Sequence, residues 1–208
     1  MNTKQNIYWM GGSPCSGKSS IAELLCQKFG FTYYKCDDHL ERYLKIGLSN
    51  HISIMEKFSR MTLDETWIER NIGEQVEDEI AFYRASANII LDDINTMIDE
   101  KGLVVEGAAI TPEFIVSHNI DFDHYVCIVP TKAFQIDNYK KRDWAKEYLK
   151  SISQPQLAFD NWMARDASFA IQVSKQAREN NMNIIVVDGS KSIQDNYDIV
   201  VEMFGLRK

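Results

Sequence analysis

The sequence has little of what marks linkers and membrane spans. Only 4 of its 208 residues are proline and 10 are glycine, and they form no Pro/Gly-rich linker between two parts of the chain. No apolar run approaches the ~20 residues that a membrane-spanning helix needs. We therefore expect a single domain over residues 1–208 and no membrane partner.

Cysteine is also scarce. The 4 cysteines are scattered along the chain, in no spacing typical of disulfide pairs or metal ligands. The first five residues lack the pattern of a secretory signal peptide. Together these features predict a location in the reducing cytoplasm.

Positive charge is in the minority, with 23 Lys and Arg against 30 Asp and Glu and a net charge of -7. Binding to extended nucleic acid relies on many basic groups that face phosphates, so this balance argues against such a partner. The hydrophobic fraction of 45% and the charged fraction of 25% are typical of a folded globular protein. A small molecule is the expected partner, and the chain is expected to be a monomer or a homodimer.

Five short apolar runs predict buried strands, at residues 7–10, 31–36, 103–105, 125–129 and 184–187. Helical patterns separate these runs. An amphipathic stripe from Ile21 to Phe29 ends at Gly30, and apolar positions keep a helical period from Glu74 to Lys101. This alternation predicts an α/β fold, with a parallel five-stranded sheet and helices on both faces. Ligands bind such sheets at the carboxyl ends of the strands.

One glycine loop carries the most specific signal in the chain. Residues 12–19 satisfy the whole GxxxxGK[ST] pattern, after a predicted strand and before a predicted helix. Such loops turn backbone amides toward phosphate oxygens at the positive end of a helix. Lys18 is expected to bridge the β- and γ-phosphates of ATP, and Ser19 to ligate Mg²⁺. The residues expected to contact the nucleotide here are Gly12, Ser13, Pro14, Cys15, Ser16, Gly17, Lys18, Ser19 and Ser20.

The sequence resembles the small-molecule P-loop kinases over nearly its whole length. The features that carry the resemblance are this loop, the acids after strand two, Glu106-Gly107 after strand three and a basic helix after strand four. That group contains shikimate, gluconate and adenylate kinases, antibiotic phosphotransferases and nucleoside kinases. The resemblance implies a P-loop NTPase-type fold with a helical acceptor-side insertion at about 40–73 and a lid at about 132–150. It also implies transfer of the γ-phosphoryl group of Mg-ATP to a hydroxyl or phosphate of a small molecule.

The resemblance further implies roles for the acids. An Asp after strand two commonly holds the acceptor hydroxyl or organises magnesium, a place that Asp37 and Asp38 share. We expect one of them to be catalytic and favour Asp37, which is nearer to the strand and is also the expected metal ligand. The alternative is that both acids cap the following helix. Glu106 and Gly107 are expected beside the acceptor or the metal, unless Glu106 caps the helix that begins near Thr111.

Arg142 lies where the resemblance implies a cationic lid over the transferring phosphoryl group. No second arginine follows closely, since Arg165 is distant in sequence. Lys140 or Lys141 is therefore a candidate to share the neutralisation of charge on the phosphoryl group. The alternative is a solvated basic helix face.

Two further expectations concern the adenine ring. Gly189 and Ser190 follow the fifth strand, where the loop of the resembling kinases contacts adenine. Trp67, Trp144 and Trp162 are interpreted as core or lid packing rather than as stacking platforms.

Two other functions are compatible with a phosphate loop. A nucleotide-binding switch or ATPase regulator would hydrolyse ATP without an acceptor, and the acids after strand two argue for an acceptor pocket instead. A polynucleotide end kinase would show a salt-dependent affinity for oligonucleotide ends, and the acidic balance of the chain argues against it.

Overall fold

A computed structural model describes residues 6–97 and 101–206. Its centre is one sheet in the order β2-β3-β1-β4-β5, in which all neighbouring strands are parallel. The strands are β1 (Ile7–Gly11), β2 (Thr32–Lys35), β3 (Leu103–Glu106), β4 (Tyr125–Pro130) and β5 (Asn183–Val187). The five predicted strands and their parallel arrangement are confirmed.

The described residues form ten α-helices: α1 (Lys18–Phe29), α2 (Leu40–Ser49), α3 (Ser53–Arg60), α4 (Leu63–Trp67), α5 (Ile72–Met97), α6 (Pro112–Ser117), α7 (Lys132–Tyr139), α8 (Asp143–Leu149), α9 (Pro155–Glu179) and α10 (Ile193–Met203). The helix expected from Glu74 to Lys101 corresponds to α5, and residues 98–100 of that prediction lie outside the described residues. The two described ranges hold no helix with the length and apolar character needed to cross a bilayer.

The sheet is covered on both faces, as the continuous apolar strands indicate. Successive side chains of β1 point to opposite faces. Trp9 packs in a core with residues of α5 and α9, whereas Tyr8 and Met10 pack in a second core with residues of α1 and α10. Helix α1 ends where the sequence predicts, because Gly30 adopts φ 71° and its N–H donates to the Cys26 carbonyl oxygen at 2.9 Å.

The segment between β2 and α5 contains three short helices, α2, α3 and α4. A third apolar cluster joins α4 to α7, α8 and α9 through buried Trp67, Tyr139, Leu149 and Trp162. Cys15 packs against this cluster. The helices that follow β4 are therefore anchored beside the glycine loop, at the carboxyl ends of the strands.

Candidate active site

The glycine loop connects β1 to α1, and its two end glycines adopt conformations that other residues rarely adopt. Gly12 has φ 115° and Gly17 has φ 82°. A Cβ atom on Gly12 would lie 2.0 Å from the Ile128 carbonyl oxygen of β4, so the packing against the sheet also requires glycine. Gly17 caps α1 without a side-chain hydrogen bond, which leaves first-turn amides of α1 to face a ligand.

Lys18 is held at the centre of this loop. Its side chain is 5% exposed, and Nζ donates to the Ser13 carbonyl oxygen at 2.7 Å and to Ser16 Oγ at 3.3 Å. Ser13 Oγ in turn donates to the carbonyl oxygen of Asp166 at 3.1 Å. The loop is thus tied to α9, and two oxygen atoms of the loop hold the Lys18 ammonium group in place.

Glu106 ends β3 beside the loop, and its carboxylate is turned toward the first residues of α1. The residue is 2% exposed, and Oε2 accepts hydrogen bonds from Ser19 Oγ at 3.1 Å and from Tyr33 OH at 3.0 Å. Burial raises the pKa of the Glu106 carboxyl, while Lys18 acts to lower it and Asp37 acts to raise it. The cap of α6 is supplied instead by Thr111, whose Oγ1 accepts from the Phe114 N–H at 3.1 Å.

The donor set fits a magnesium ion that is shared with a nucleotide. Ser19 offers a hydroxyl, and Glu106 and Asp37 offer carboxylates, which are the oxygen ligands that Mg²⁺ prefers. In the part of the chain that the structure describes, no group of three or more His, Cys, Asp or Glu side chains is placed to hold a metal. The chemistry therefore suits a metal completed by phosphate oxygens and water rather than an all-protein cage.

The structure separates Asp37 from Asp38. Both are exposed and lie in the 3-10 turn Cys36–His39 that follows β2. Asp37 lines the same cleft as Lys18, whereas Asp38 is placed outside that lining, with Oδ1 3.7 Å from Lys35 Nζ. Neither this turn nor α2 has a side-chain hydrogen bond from its capping residue, so the helix-cap alternative gains no support.

Arg142 precedes α8 and faces the loop. Its Nη2 lies 3.4 Å from Cys15 Sγ, and its guanidinium lies 4.7 Å from the Tyr139 ring centre and 5.8 Å from that of Trp144. Burial raises the pKa of the Cys15 thiol, although Arg142 acts to lower it. The Cys15 thiol is therefore kept protonated, whereas a nucleophilic cysteine needs to be a thiolate.

These groups meet in one cleft of about 490 Å³. The loop residues Pro14 to Ser20 form one wall, and Asp37, Glu106 and Arg142 contribute to the others. Lys140 and Lys141 are exposed and lie outside the lining of this cleft. The sequence-based candidates from three separate chain segments thus come together around the glycine loop.

Comparison with known proteins identifies a similar fold. The sequence matches no family model and none of the curated proteins with which it was compared. Its structure is similar to that of TT1252 from Thermus thermophilus, with a TM-score of 0.54, 11% identity and coverage of 97% of this chain and 98% of the other. With its all-parallel five-stranded sheet and the glycine loop between β1 and α1, the fold is of the P-loop NTPase type.

A second solved structure aligns with the chain over a similar length. It is a shikimate kinase from Acinetobacter baumannii in complex with shikimate, with a TM-score of 0.45 and 16% identity over 97% of this chain and 93% of the other.

Besides Asp38, the predicted site residues that lie outside the cleft lining are Gly12, Ser13, Gly107, Gly189 and Ser190. Gly189 and Ser190 line a separate groove of about 320 Å³ along β5, where Ser190 N and Oγ donate to Asp188 Oδ1 at 2.9 and 2.6 Å. Gly107 is buried behind the strand ends, where an added Cβ would lie 2.6 Å from the Cys36 Cβ.

Sequence reasoning missed the part of the cleft that α5 and α9 build. Glu79 and Tyr83 of α5 and Arg165 and Trp162 of α9 line it. The helical period predicts Tyr83 only as an apolar position of a helix, and Arg165 is distant in sequence from the other candidates. No local pattern marks these residues, because only the packing of α5 against α9 brings them to the glycine loop.

Trp144 and Trp162 both line the cleft but differ in burial. Trp162 of α9 is buried against the rings of Tyr139 and Trp144, whereas Trp144 is 56% exposed at the cleft wall. Trp67 lies outside the lining and packs beneath Arg165, whose guanidinium is 4.7 Å from the Trp67 ring centre.

Proposed function

We propose that this protein is an ATP-dependent kinase that phosphorylates a small-molecule acceptor. The observation that carries the proposal is the single cleft in which the glycine loop and Lys18 face Asp37 and Arg142. A nucleotide-binding loop alone would suit a switch as well as a kinase. The Asp37 carboxylate beside the phosphate loop supports a kinase, because it can accept a hydrogen bond from an acceptor hydroxyl and orient it.

The proposed binding roles follow from the positions of the side chains. The loop amides and Lys18 hold the β- and γ-phosphates of ATP, and Ser19 and Glu106 hold the Mg²⁺ that accompanies them. Bound magnesium supplies charge neutralisation at the phosphate oxygens. Arg142 adds a cation from the lid side.

The proposed transfer step is a displacement at the γ-phosphorus. The acceptor oxygen forms a bond to phosphorus while the bond to the oxygen that bridges the β- and γ-phosphates breaks, and ADP leaves with that electron pair. Asp37 accepts a hydrogen bond from the acceptor hydroxyl and receives its proton late in the step. Lys18 and Arg142 stabilise the charge on the transferring group.

The location proposed for this activity is the cytoplasm. All four cysteines lie in the described part of the chain and are free thiols. Free cysteines are typical of a reducing compartment and support this location.

The test of the proposal is ADP release from Mg-ATP with pooled acceptors. The pools are amino sugars and aminoglycosides, uncharged nucleosides and polyols, hydroxy acids, and phosphorylated metabolites. We expect at least one pool to raise ADP release well above the acceptor-free rate, and Lys18→Ala to abolish that increase. Binding of ATP without stimulation by any pool would overturn the kinase proposal in favour of a switch.

The neighbouring aspartates provide a matched pair of variants. We expect Asp37→Asn to lower kcat with the stimulating acceptor by about 100-fold or more, since it loses the orienting carboxylate, with an unchanged KM for ATP. Asp38→Asn removes the same charge one residue away and is expected to retain kcat within about twofold. Equal losses in both variants, or full activity in Asp37→Asn, would contradict the role given to Asp37.

A further inference from the structure

The carboxylates of Glu79 and Asp37 line the cleft together with Arg165. A further carboxylate, that of Asp166, is buried against Arg165. Glu79 lines the cleft from α5 and is 7% exposed. Its Oε1 accepts from Tyr83 OH at 2.9 Å, and its Oε2 has no hydrogen-bond donor among the described residues. The nearest cation to Oε2 is Arg165, whose Nε lies 3.4 Å away.

Arg165 is already committed to a second acid. Its Nε and Nη2 donate to Asp166 Oδ1 at 2.9 and 2.6 Å, and Asp166 is fully buried. Asp166 Oδ2 also has no hydrogen-bond donor in residues 6–97 and 101–206. Although burial acts to lower it, the Glu79 and Asp166 carboxylates raise the pKa of Arg165, so this guanidinium stays charged and paired.

Asp37 adds a further negative charge to the same space. Burial raises the pKa of Glu79, and Arg165 acts to lower it. Asp166 and Asp37 both act to raise the pKa of Glu79, so the Asp37 charge interacts with Glu79 across the cleft. Asp166 by itself balances Arg165. Asp37 therefore keeps the part of the cleft beside Glu79 negative even when Glu79 is protonated, and this part is more negative when Glu79 is ionised.

The cations that remain in the cleft face the nucleotide. Lys18 lies within the phosphate loop, and Arg142 lies 3.4 Å from the loop residue Cys15. A second anion placed against α5 and α9 would lie close to carboxylates. Among the described residues, the cation that lines this side of the cleft is Arg165, which is already paired with Asp166. Like charges in a partly buried site disfavour binding strongly, and such repulsion is a common source of specificity.

We infer that the acceptor is an alcohol that carries neither a carboxylate nor a phosphate, so that it is uncharged or bears a basic amine. This inference rests on the proposed kinase function and narrows its acceptor from a hydroxyl or phosphate to the hydroxyl of a non-acidic compound. Glu79 acts as a specificity residue that excludes acidic acceptors. Asp37 keeps its separate role toward the hydroxyl.

The pooled assay tests this inference separately from the function. Stimulation by amino sugars and aminoglycosides, or by uncharged nucleosides and polyols, without stimulation by hydroxy acids or phosphorylated metabolites supports it. Stimulation by hydroxy acids or phosphorylated metabolites overturns the inference and leaves the kinase proposal standing. If no pool stimulates ADP release, the kinase proposal fails and the inference fails with it.

A variant pair tests the part played by Glu79. The measured quantity is the ratio of kcat/KM for the accepted alcohol to that for a carboxylated derivative of the same compound. Glu79→Gln keeps an acceptor for the Tyr83 hydroxyl and removes the charge, and we expect it to lower this ratio by about tenfold with an unchanged KM for ATP. Glu113→Gln removes one charge outside the cleft lining and is expected to leave the ratio unchanged.

A measurement on the unaltered protein covers the case in which Glu79→Gln does not fold. Exclusion by charge weakens when salt screens the cleft, so raising NaCl from about 50 mM to about 500 mM should lower the same ratio several-fold. A ratio that is insensitive both to salt and to Glu79→Gln would assign the selection to shape and overturn the inference.

Discussion

At the residue scale, Glu106 couples the stability of the fold to the chemistry of the cleft. Its carboxyl is buried beside Ser19 and Tyr33, and burial raises its pKa above the usual 4.5. A raised pKa means that the ionised form is disfavoured in the folded state. The stabilising contribution of this group is present below its unfolded-state pKa and is lost as pH rises through the folded-state pKa.

We therefore expect Glu106→Gln to stabilise the nucleotide-free protein at high pH. Glutamine accepts the same two hydrogen bonds without a buried charge, so the Tm should rise by about 2–4 °C at pH 8, the scale of ~1 kcal/mol in a chain of this size. At pH 4 the two proteins should melt together. Thermal unfolding from pH 4 to 8 without Mg²⁺ measures this, and a Tm difference that shrinks with pH would contradict it.

At the element scale, α5 and α9 are held together beside the cleft by the cluster of Glu79, Arg165 and Asp166. Arg165 is the only cation that these two acids contact among the described residues. Removing one partner of a buried ion pair leaves uncompensated buried charge, which destabilises far more than loss of an exposed pair. Helix α5 also carries an exposed ion pair, in which Arg84 Nε lies 2.6 Å from Glu113 Oε1 of α6.

These two pairs give a prediction with an internal control. We expect Arg165→Ala to lower the free energy of unfolding by about 3–5 kcal/mol. Arg84→Ala should lower it by less than about 1 kcal/mol, since its side chain is 60% exposed. Urea unfolding of both variants measures the difference, and similar losses would show that the buried cluster does not hold α5 to α9.

At the scale of the whole molecule, α7, α8, α9 and the phosphate loop meet around one aromatic cluster. Trp162 contacts Tyr139 and Trp144, with ring centres 5.0 and 5.8 Å apart. Arg142 lies between the loop and the rings of Tyr139 and Trp144. Any movement of Arg142 toward bound phosphates therefore changes the surroundings of Trp144.

We expect Mg-ATP to change the tryptophan fluorescence of the protein through Trp144. This indole is 56% exposed at the cleft, and its emission should shift to shorter wavelength as nucleotide and lid exclude water. Trp144→Phe should remove most of the change, and Lys18→Ala should prevent it while keeping Trp144. A full spectral change in Trp144→Phe would place the reporting tryptophan elsewhere.

The sequence by itself determined the features that depend on neighbouring residues. Glycines at 12 and 17, followed by Lys18 and Ser19, define a phosphate loop because backbone conformation, helix start and charge are all encoded within eight positions. Continuous apolar runs likewise predicted the five strands and their parallel arrangement. These signals are local, and the structure confirmed the fold that they predict.

Only the tertiary structure decided how the cleft is completed. Asp37 and Asp38 are adjacent and chemically identical, and the turn after β2 alone directs one to the cleft and the other to Lys35. Arg165 lies far from the loop in sequence, yet α9 packs against α5 and brings it to Glu79. Side chains from separate helices meet through packing, which no local spacing records.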